Sequence, residues 1–162
     1  MAKELTKKEE VRLIELLRKV PKFPNSPHAV FMELIKISPS VVVEVLLTNN
    51  GGKSIYLTYR RNEYFEGWHT PGGFLGFTEN FTEGARRIAK KEIGVDVKNI
   101  QIVGLLSYDE KVDPRSGHLI AVACLAEPMG EPEGGRYFEG VPEERHLIQV
   151  ELIFNLLKKN EQ

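Results

Sequence analysis

A stretch from Pro71 to Val95 constrains the fold of this chain more than any other feature. It begins with two adjacent glycines, continues as a polar loop, and becomes an amphipathic helix predicted over 80–93. Asn80 with Glu83 three residues later predicts a capped helix start, and Gly94 stands where helices commonly end in the left-handed conformation. The stretch therefore predicts a tight turn with exposed backbone groups, followed by a well-defined helix.

One face of that helix carries the residues on which the chemistry depends. Ile88, Lys91 and Glu92 share this face because they follow the i, i+3, i+4 spacing. Carboxylates on such a face, beside exposed glycine carbonyls, form an oxygen-rich pocket that suits Mg²⁺. Arg87 precedes the face and is placed to pair with an acidic neighbour or a phosphate oxygen. The pattern indicates phosphate chemistry, but only one of the three residues is a carboxylate.

The rest of the chain predicts one globular domain with an added N-terminal segment. Its 162 residues, 41% of them hydrophobic, are enough for one core and few for two. Strands are predicted over 37–47, 54–59, 100–108 and 118–126, with a hairpin turn at 49–52 and an extended stretch at 136–138. Helices are predicted over 6–19, where Thr6 and Glu9 form a capping box, and from Pro142 onward. This interleaving of strands and helices predicts a mixed sheet between helices.

Charge and composition limit the classes of partner. The formal net charge of −1 argues against a basic surface for nucleic acid or an anionic membrane. No stretch of the sequence approaches the ~18 consecutive apolar residues of a membrane span. The single cysteine, Cys124, lies in an apolar predicted strand and cannot form an intrachain disulfide. We expect a cytoplasmic protein that binds neither nucleic acid nor membrane.

The glycine turn, the polar loop and the helix together resemble the Nudix box of the Nudix hydrolase superfamily. The positions in register with that box are Gly73, Glu79, Arg87, Glu92, Gly94 and Val95. The resemblance covers roughly residues 38–157 and implies a Nudix-type α/β/α sandwich with a mixed β-sheet, plus an extra N-terminal helix. The expected division is an N-terminal helix with a proline-rich connection over 1–37 and a Nudix domain over 38–162. The resemblance also implies a homodimer.

Two departures from the box narrow the expected reaction. Ile88 and Lys91 stand where the family has glutamates, so these residues cannot supply the ordinary multi-metal site. GDP-mannose mannosyl hydrolases resemble this sequence in these gaps. In that branch one Mg²⁺ suffices, because water attacks the anomeric carbon of the sugar and nucleoside diphosphate leaves. The resemblance implies Mg²⁺-dependent hydrolysis of a nucleoside diphosphate-sugar, with Mn²⁺ as an alternative metal.

Two other functions remain open on the sequence. One is a conventional Nudix pyrophosphohydrolase of low activity on nucleoside diphosphate derivatives. The other is a catalytically inactive module that binds a nucleotide. All three functions place a nucleoside diphosphate compound in the same site.

The resemblance also assigns roles to individual residues of this sequence. The implied metal ligands are Gly72, Gly73, Glu92 and Glu131, and the implied catalytic groups are Arg87, Tyr108 and Glu133. The implied substrate contacts are Glu44 and Arg60, and Arg115 is a further candidate because of its place in the loop between two predicted strands. Pro132 falls where the mannosyl hydrolase branch has its general base, which leaves Glu133 or Glu131 for that role. Phe74 is a further departure, because that branch has an arginine directly after the glycines.

Several of these residues have a structural alternative. Glu79 and Arg87 are equally suited to an ion pair that ties the box loop to its helix. Arg115 lies in a polar loop where a solvated side chain is an equal alternative. Lys91 is predicted to be solvated, with a phosphate contact as the alternative, and Trp68 is predicted to pack in the core.

Overall fold

The computed structural model describes residues 4–49, 54–115 and 117–160. These ranges contain four helices and seven strands. The helices are α1 (Lys7–Leu17), α2 (His28–Ile37), α3 (Phe81–Ile93) and α4 (Ile148–Asn160). The strands are β1 (Ser40–Asn49), β2 (Ser54–Arg61), β3 (Glu66–His69), β4 (Gly72–Phe74), β5 (Val97–Tyr108), β6 (Leu119–Pro128) and β7 (Gly135–Phe138).

The sheet is mixed and is organised around β1. The main strand order is β3-β2-β1-β6-β5, with β4 paired to β1 and β7 paired to β2. β1 runs parallel to β6, whereas its pairs with β2 and β4 are antiparallel. The predicted mixed sheet is confirmed.

Helices cover both faces of this sheet. On one face, α3 packs its buried side chains, among them Ala85, Ile88 and Ile93, against Val43 and Val45 of β1. On the other face, α4 buries residues that contact side chains of β1, β2 and β6: Val150, Ile153 and Phe154. Burial of each such aliphatic side chain contributes about 1.5–3 kcal/mol to folding. The result is the predicted α/β/α sandwich, with an N-terminal helix added.

The predicted helix ends are confirmed. Thr6 and Glu9 form a reciprocal capping box at the start of α1, and Asn80 and Glu83 do the same at the start of α3. Gly94 ends α3 with φ of 74°, a conformation that residues with a Cβ rarely adopt.

Other predicted boundaries are wrong. The structure has a second helix, α2, where the sequence analysis predicted a proline-rich connection, and the first strand begins at Ser40 rather than at Ile37. The apolar residues of α2, Phe31, Leu34 and Ile35 among them, recur at helical spacing, but the ten-residue helix is short and directly precedes a β-branched run. The predicted hairpin turn falls largely on 50–53, outside the described residues, although the flanking strands do pair antiparallel.

The last helix begins at Ile148, six residues after the predicted start at Pro142. The preceding segment is held in an extended conformation by the edge of β3. Trp68 N donates to Arg145 O at 3.0 Å, and Leu147 N donates to Trp68 O at 2.9 Å. A backbone committed to these two hydrogen bonds cannot also form the first turn of a helix.

The N-terminal helix α1 has no buried residue, and its apolar side chains are about half exposed. Homodimerisation through this helix stays a prediction. Among the described residues, none of the helices has the length and apolar character needed to cross a membrane.

Candidate active site

The glycine turn lies against the middle of β1. In the β1–β4 pairing, Glu44 is opposite Gly72 and Val43 is opposite Gly73. A Cβ at Gly72 would lie only 2.6 Å from Glu44 Oε2, whereas one at Gly73 would approach Ile88 at an ordinary 3.5 Å. Position 72 therefore favours glycine, because the Glu44 carboxyl group lies where a Cβ would be.

Glu44 is only 4% exposed. Burial raises the pKa of its carboxyl group to about 7, and the opposing effects of Thr70 and Arg60 only partly offset this. Thr70 Oγ1 donates a hydrogen bond to Glu44 Oε2 at 2.5 Å. Gln149 Nε2 in turn donates to Thr70 Oγ1 at 3.4 Å, a long contact. Glu44 is thus held in place by Thr70, which Gln149 of α4 in turn contacts.

The hydroxyl group of Tyr108 faces the same region. Burial, followed by the nearby Glu44 carboxylate, raises the pKa of Tyr108. The hydroxyl is buried, and the Glu44 carboxyl group is its polar neighbour. A pocket of about 50 Å³, here called the inner pocket, is bounded by Glu44, Tyr108, Arg60 and Arg115. Tyr108 therefore places a hydroxyl group beside Glu44 at this pocket.

His69 is a buried neutral support for the inner pocket. Its Nδ1 lies 2.6 Å from Thr70 O and its Nε2 lies 3.0 Å from Thr58 Oγ1. Since a carbonyl only accepts, Nδ1 carries the proton and Nε2 accepts from the Thr58 hydroxyl. Burial and then the Arg60 charge lower the pKa of His69 to about 4. His69 fixes the backbone that presents Thr70 to Glu44.

A second cavity of about 290 Å³, here called the outer cleft, also borders the glycine turn. Glu92 faces this cleft, and its Oε2 lies 3.1 Å from Arg60 Nη2. Arg87, Lys91 and Arg115 also line it. Arg60 and Arg115 border both cavities, so the two form one divided site.

The residues that replace the family's glutamates point in different directions. Ile88 is 2% exposed and belongs to the core beneath α3, so its side chain stabilises the helix packing. Lys91 is exposed at the rim of the outer cleft, as predicted. In the described ranges, no three His, Cys, Asp or Glu side chains come together as a metal site. Among the described residues that line the outer cleft, Glu92 is the carboxylate that could hold a metal ion, and Gly72 and Gly73 line the same cleft.

Glu79 and Arg87 form a bidentate ion pair. Arg87 Nε and Nη2 donate to the two Glu79 carboxylate oxygens at 2.7 and 2.8 Å. Arg87 Nη2 also donates to Phe74 O at 2.8 Å, and Gly76 N donates to Glu79 at 2.7 Å. These bonds, Arg87 first, lower the pKa of Glu79. The geometry supports the structural alternative, in which this pair ties the box loop to α3.

We expect Arg87→Lys to lower the free energy of unfolding by about 1–2 kcal/mol, because an ammonium group cannot replace the bidentate bond and the bond to Phe74 together. Urea denaturation measures the loss. Arg86→Lys is the matched control, since Arg86 is more exposed and lies 4.0 Å from Asp96. It should change stability by no more than about 0.5 kcal/mol. Equal losses in the two variants would contradict the structural role of the Glu79–Arg87 pair.

Arg115 and the two acidic loop residues differ in their placement. Arg115 is held by Asp113 at 2.7 Å and lies over the Phe65 ring, 4.8 Å from its centroid, so it is fixed at the site. Glu133 instead lies at the C-terminal end of α3, where its amide donates to Ile93 O at 3.0 Å. Neither Glu131 nor Glu133 lines either cavity. Their roles as metal ligand and base stay predictions.

The sequence analysis did not identify several residues of the site. Thr70 and Gln149 support Glu44, and Phe31 and Met32 line the outer cleft from α2. No local pattern marks the first two, because their partners are distant in sequence. The helical spacing of apolar residues over 30–35 was the one available signal for the others.

Comparison with known proteins identifies the family of the chain. The family model described as NUDIX domain matches residues 38–160. The chain belongs to the Nudix family. Nudix hydrolases generally use divalent metals such as Mg²⁺ and bind small molecules that contain nucleoside diphosphates.

Solved Nudix structures share the fold at low identity. A MutT Nudix hydrolase from Burkholderia pseudomallei has a TM-score of 0.62 at 18% identity, covering 74% of this chain and 98% of that one. A MutT protein from Methanosarcina mazei has a TM-score of 0.58 at 18% identity, covering 76% and 96%. At these identities the likeness shows the fold alone.

One curated relative shares a local region. A low-salt glycan biosynthesis protein of Haloferax volcanii is 38% identical over 60 residues, which cover 36% of this chain and 37% of that protein. The Nudix domain described here therefore matches little more than a third of that relative's length.

Proposed function

We propose that this Nudix domain hydrolyses a nucleoside diphosphate-sugar in a Mg²⁺-dependent reaction, with water attacking the anomeric carbon of the sugar. The proposal rests on the residues that occupy the three box positions on α3 and on where their side chains lie. Ile88 is buried in the core, Lys91 is a cation, and Glu92 is the carboxylate left facing the outer cleft. A single metal ion is compatible with departure of a diphosphate, which requires charge neutralisation only.

The proposed roles follow from the positions of the side chains. Arg60 and Arg115 border both cavities and hold the diphosphate between them. Arg60 neutralises Glu92 in the free protein, so a phosphate group that attracts Arg60 releases this carboxylate as a ligand. Glu92 and the carbonyls of Gly72 and Gly73 would hold Mg²⁺, which would supply positive charge to the diphosphate.

Tyr108 and the acidic groups complete the proposed mechanism. The Tyr108 hydroxyl, which lies beside Glu44, donates to an oxygen of the substrate. Water forms a bond to the anomeric carbon as the bond from that carbon to the diphosphate oxygen breaks, and a general base takes the water proton. Glu133 or Glu131 is the proposed base, and Glu131 is also the proposed further metal ligand. The loop over 129–134 must approach the cleft for either role.

The Haloferax volcanii relative supports a sugar-linked substrate, because the name of that protein places it in glycan biosynthesis. The pairing of Glu92 with Arg60 favours a second candidate, a nucleotide-binding module without catalysis, since that carboxylate is already neutralised by the protein. A conventional pyrophosphohydrolase requires carboxylates that the box lacks.

Turnover of GDP-, ADP- and UDP-sugars with Mg²⁺ in ¹⁸O-labelled water tests the proposal. We expect the label in the sugar product, because the attacked atom keeps the oxygen of the water. Label in a phosphate product would replace the proposal with pyrophosphohydrolase activity. If no substrate is turned over but a nucleotide still raises the Tm, the proposed hydrolase function would be replaced by that of a nucleotide-binding module.

A further inference from the structure

The outer cleft has an aromatic wall that comes partly from outside the residues matched to the Nudix family. Phe23 and Phe31 stack on each other with ring centroids 4.7 Å apart. Phe31 also meets Phe74, the residue after the glycine turn, edge to face at 4.8 Å and 87°. Met32, next to Phe31 on α2, lines the cleft as well. Phe31 and Met32 are only half-buried, so a ligand can reach them.

This wall is fixed to the Nudix domain at several points. Phe77 N donates to Phe23 O at 3.1 Å, and Gly117 N donates to Ile35 O at 3.3 Å at the other end of α2. Lys22 Nζ lies 3.7 Å from the centroid of the Phe77 ring. The aromatic rings therefore have a defined position relative to the glycine turn before any ligand binds, which reduces the entropy lost on binding.

The outer cleft is also lined by cationic side chains, of which Arg60, Arg87 and Arg115 are paired with carboxylates in the free protein. Arg60, Arg87, Lys91 and Arg115 line it, and Glu92 is the one carboxylate among its described lining residues. A ligand that complements both the aromatic wall and these cations has an anionic group joined to a flat apolar group. A nucleoside diphosphate has this structure, since its base can stack on aromatic rings while its phosphates pair with arginines.

The sugar of the substrate has different requirements. Its hydroxyl groups need hydrogen-bond partners, which aromatic rings do not supply. The inner pocket supplies them through Glu44 and the hydroxyl group of Tyr108. Arg60 and Arg115 lie where the two cavities meet, so a diphosphate bound there would have the base on one side and the sugar on the other.

We infer that Phe31 and Met32 form a nucleobase subsite, which orients the substrate with its base under α2 and its sugar towards the inner pocket. This inference rests on the proposed function, because it assumes a nucleoside diphosphate in the cleft. It assigns substrate selection to a segment that precedes the Nudix-matched residues.

Isothermal titration calorimetry with two kinds of ligand, one without a nucleobase and one with a nucleobase, tests this subsite. Inorganic pyrophosphate has no base, whereas ADP, GDP and UDP have one, and each is titrated with Mg²⁺ present. We expect Phe31→Leu to raise Kd for at least one of the nucleotides by about tenfold, within the range found for one stacked base. The same variant should change Kd for pyrophosphate by less than about twofold. Met32→Ala should show the same pattern and does not disturb the stacked rings.

Phe81→Leu is the matched control, because Phe81 is partly exposed and lines neither the inner pocket nor the outer cleft. It should leave both affinities unchanged. If Phe31→Leu weakened the binding of nucleotide and of pyrophosphate equally, Phe31 would only position the glycine turn. This result would overturn the inference. Phe31→Leu could instead leave nucleotide binding unchanged and weaken the binding of a nucleoside diphosphate-sugar. The aromatic wall would then contact the sugar, and the inference would also be overturned. If the unaltered protein binds none of the nucleotides, the proposed function itself fails.

Discussion

Glu92→Gln is expected to lower kcat/KM for a nucleoside diphosphate-sugar by at least about 100-fold. Glu92 is the box carboxylate that faces the outer cleft, and glutamine keeps its size while removing the charge that a metal ion needs. Losses of 10²–10³ are typical when one group that stabilises developing charge is removed. Steady-state kinetics at saturating Mg²⁺ measures this effect.

The same variant has a second readout that does not depend on turnover. In the unaltered protein, Mg²⁺ should increase the Tm shift produced by ADP, because both bind the folded state at adjoining positions. Glu92→Gln should remove this Mg²⁺ dependence. Glu127→Gln is the control, since Glu127 is exposed and pairs at 3.8 Å with Lys98. Retained activity in Glu92→Gln would show that other ligands hold the metal.

Gly135→Ala is expected to lower the free energy of unfolding by at least about 2 kcal/mol, as severe overpacking does. Gly135 pairs with Thr58 where β7 joins β2. A Cβ at this position would lie 2.0 Å from the carbonyl oxygen of Leu57, an atom that is fixed by the sheet. The chain must therefore separate β7 from β2 to accommodate a methyl group. Urea denaturation monitored by circular dichroism measures the loss.

Gly140→Ala is the matched control for this prediction. It lies shortly after β7, and a Cβ there would meet no atom within 4 Å. We expect its free energy of unfolding to stay within about 0.5 kcal/mol of the unaltered protein. If Gly135→Ala were equally harmless, the close approach of β7 to Leu57 would be wrong.

The features that could be predicted from the sequence depend on residues close together in the chain. The capping residues Asn80 and Glu83 are three positions apart in the sequence. The left-handed conformation of Gly94 could be predicted because this glycine directly follows an amphipathic run. The Nudix box is likewise a local pattern, so the α/β/α sandwich followed from it. α2 was missed because a short helix beside a β-branched run gives competing periodicities.

The arrangement of the site depends on contacts between distant residues. Arg60 pairs with Glu92 across 32 positions, and Gln149 reaches Thr70 across 79. A single sequence does not reveal such pairs, since each partner is an ordinary polar residue in its own segment. For the same reason the buried state of Glu44, which raises its pKa, could not be predicted from its position on a strand.

The place of Glu44 on β1 links assembly of the pocket to folding of the sheet. Val43 and Val45 face the core beneath α3, whereas Glu44 lies between them in sequence and points to the opposite face. A slip of β1 by one residue would bury the carboxyl group under α3 and expose valines to the pocket, at a cost of several kcal/mol. The Glu44 carboxyl group therefore also destabilises sheets in which β1 is out of register. A chain that has completed its core has, for this reason, already formed the inner pocket.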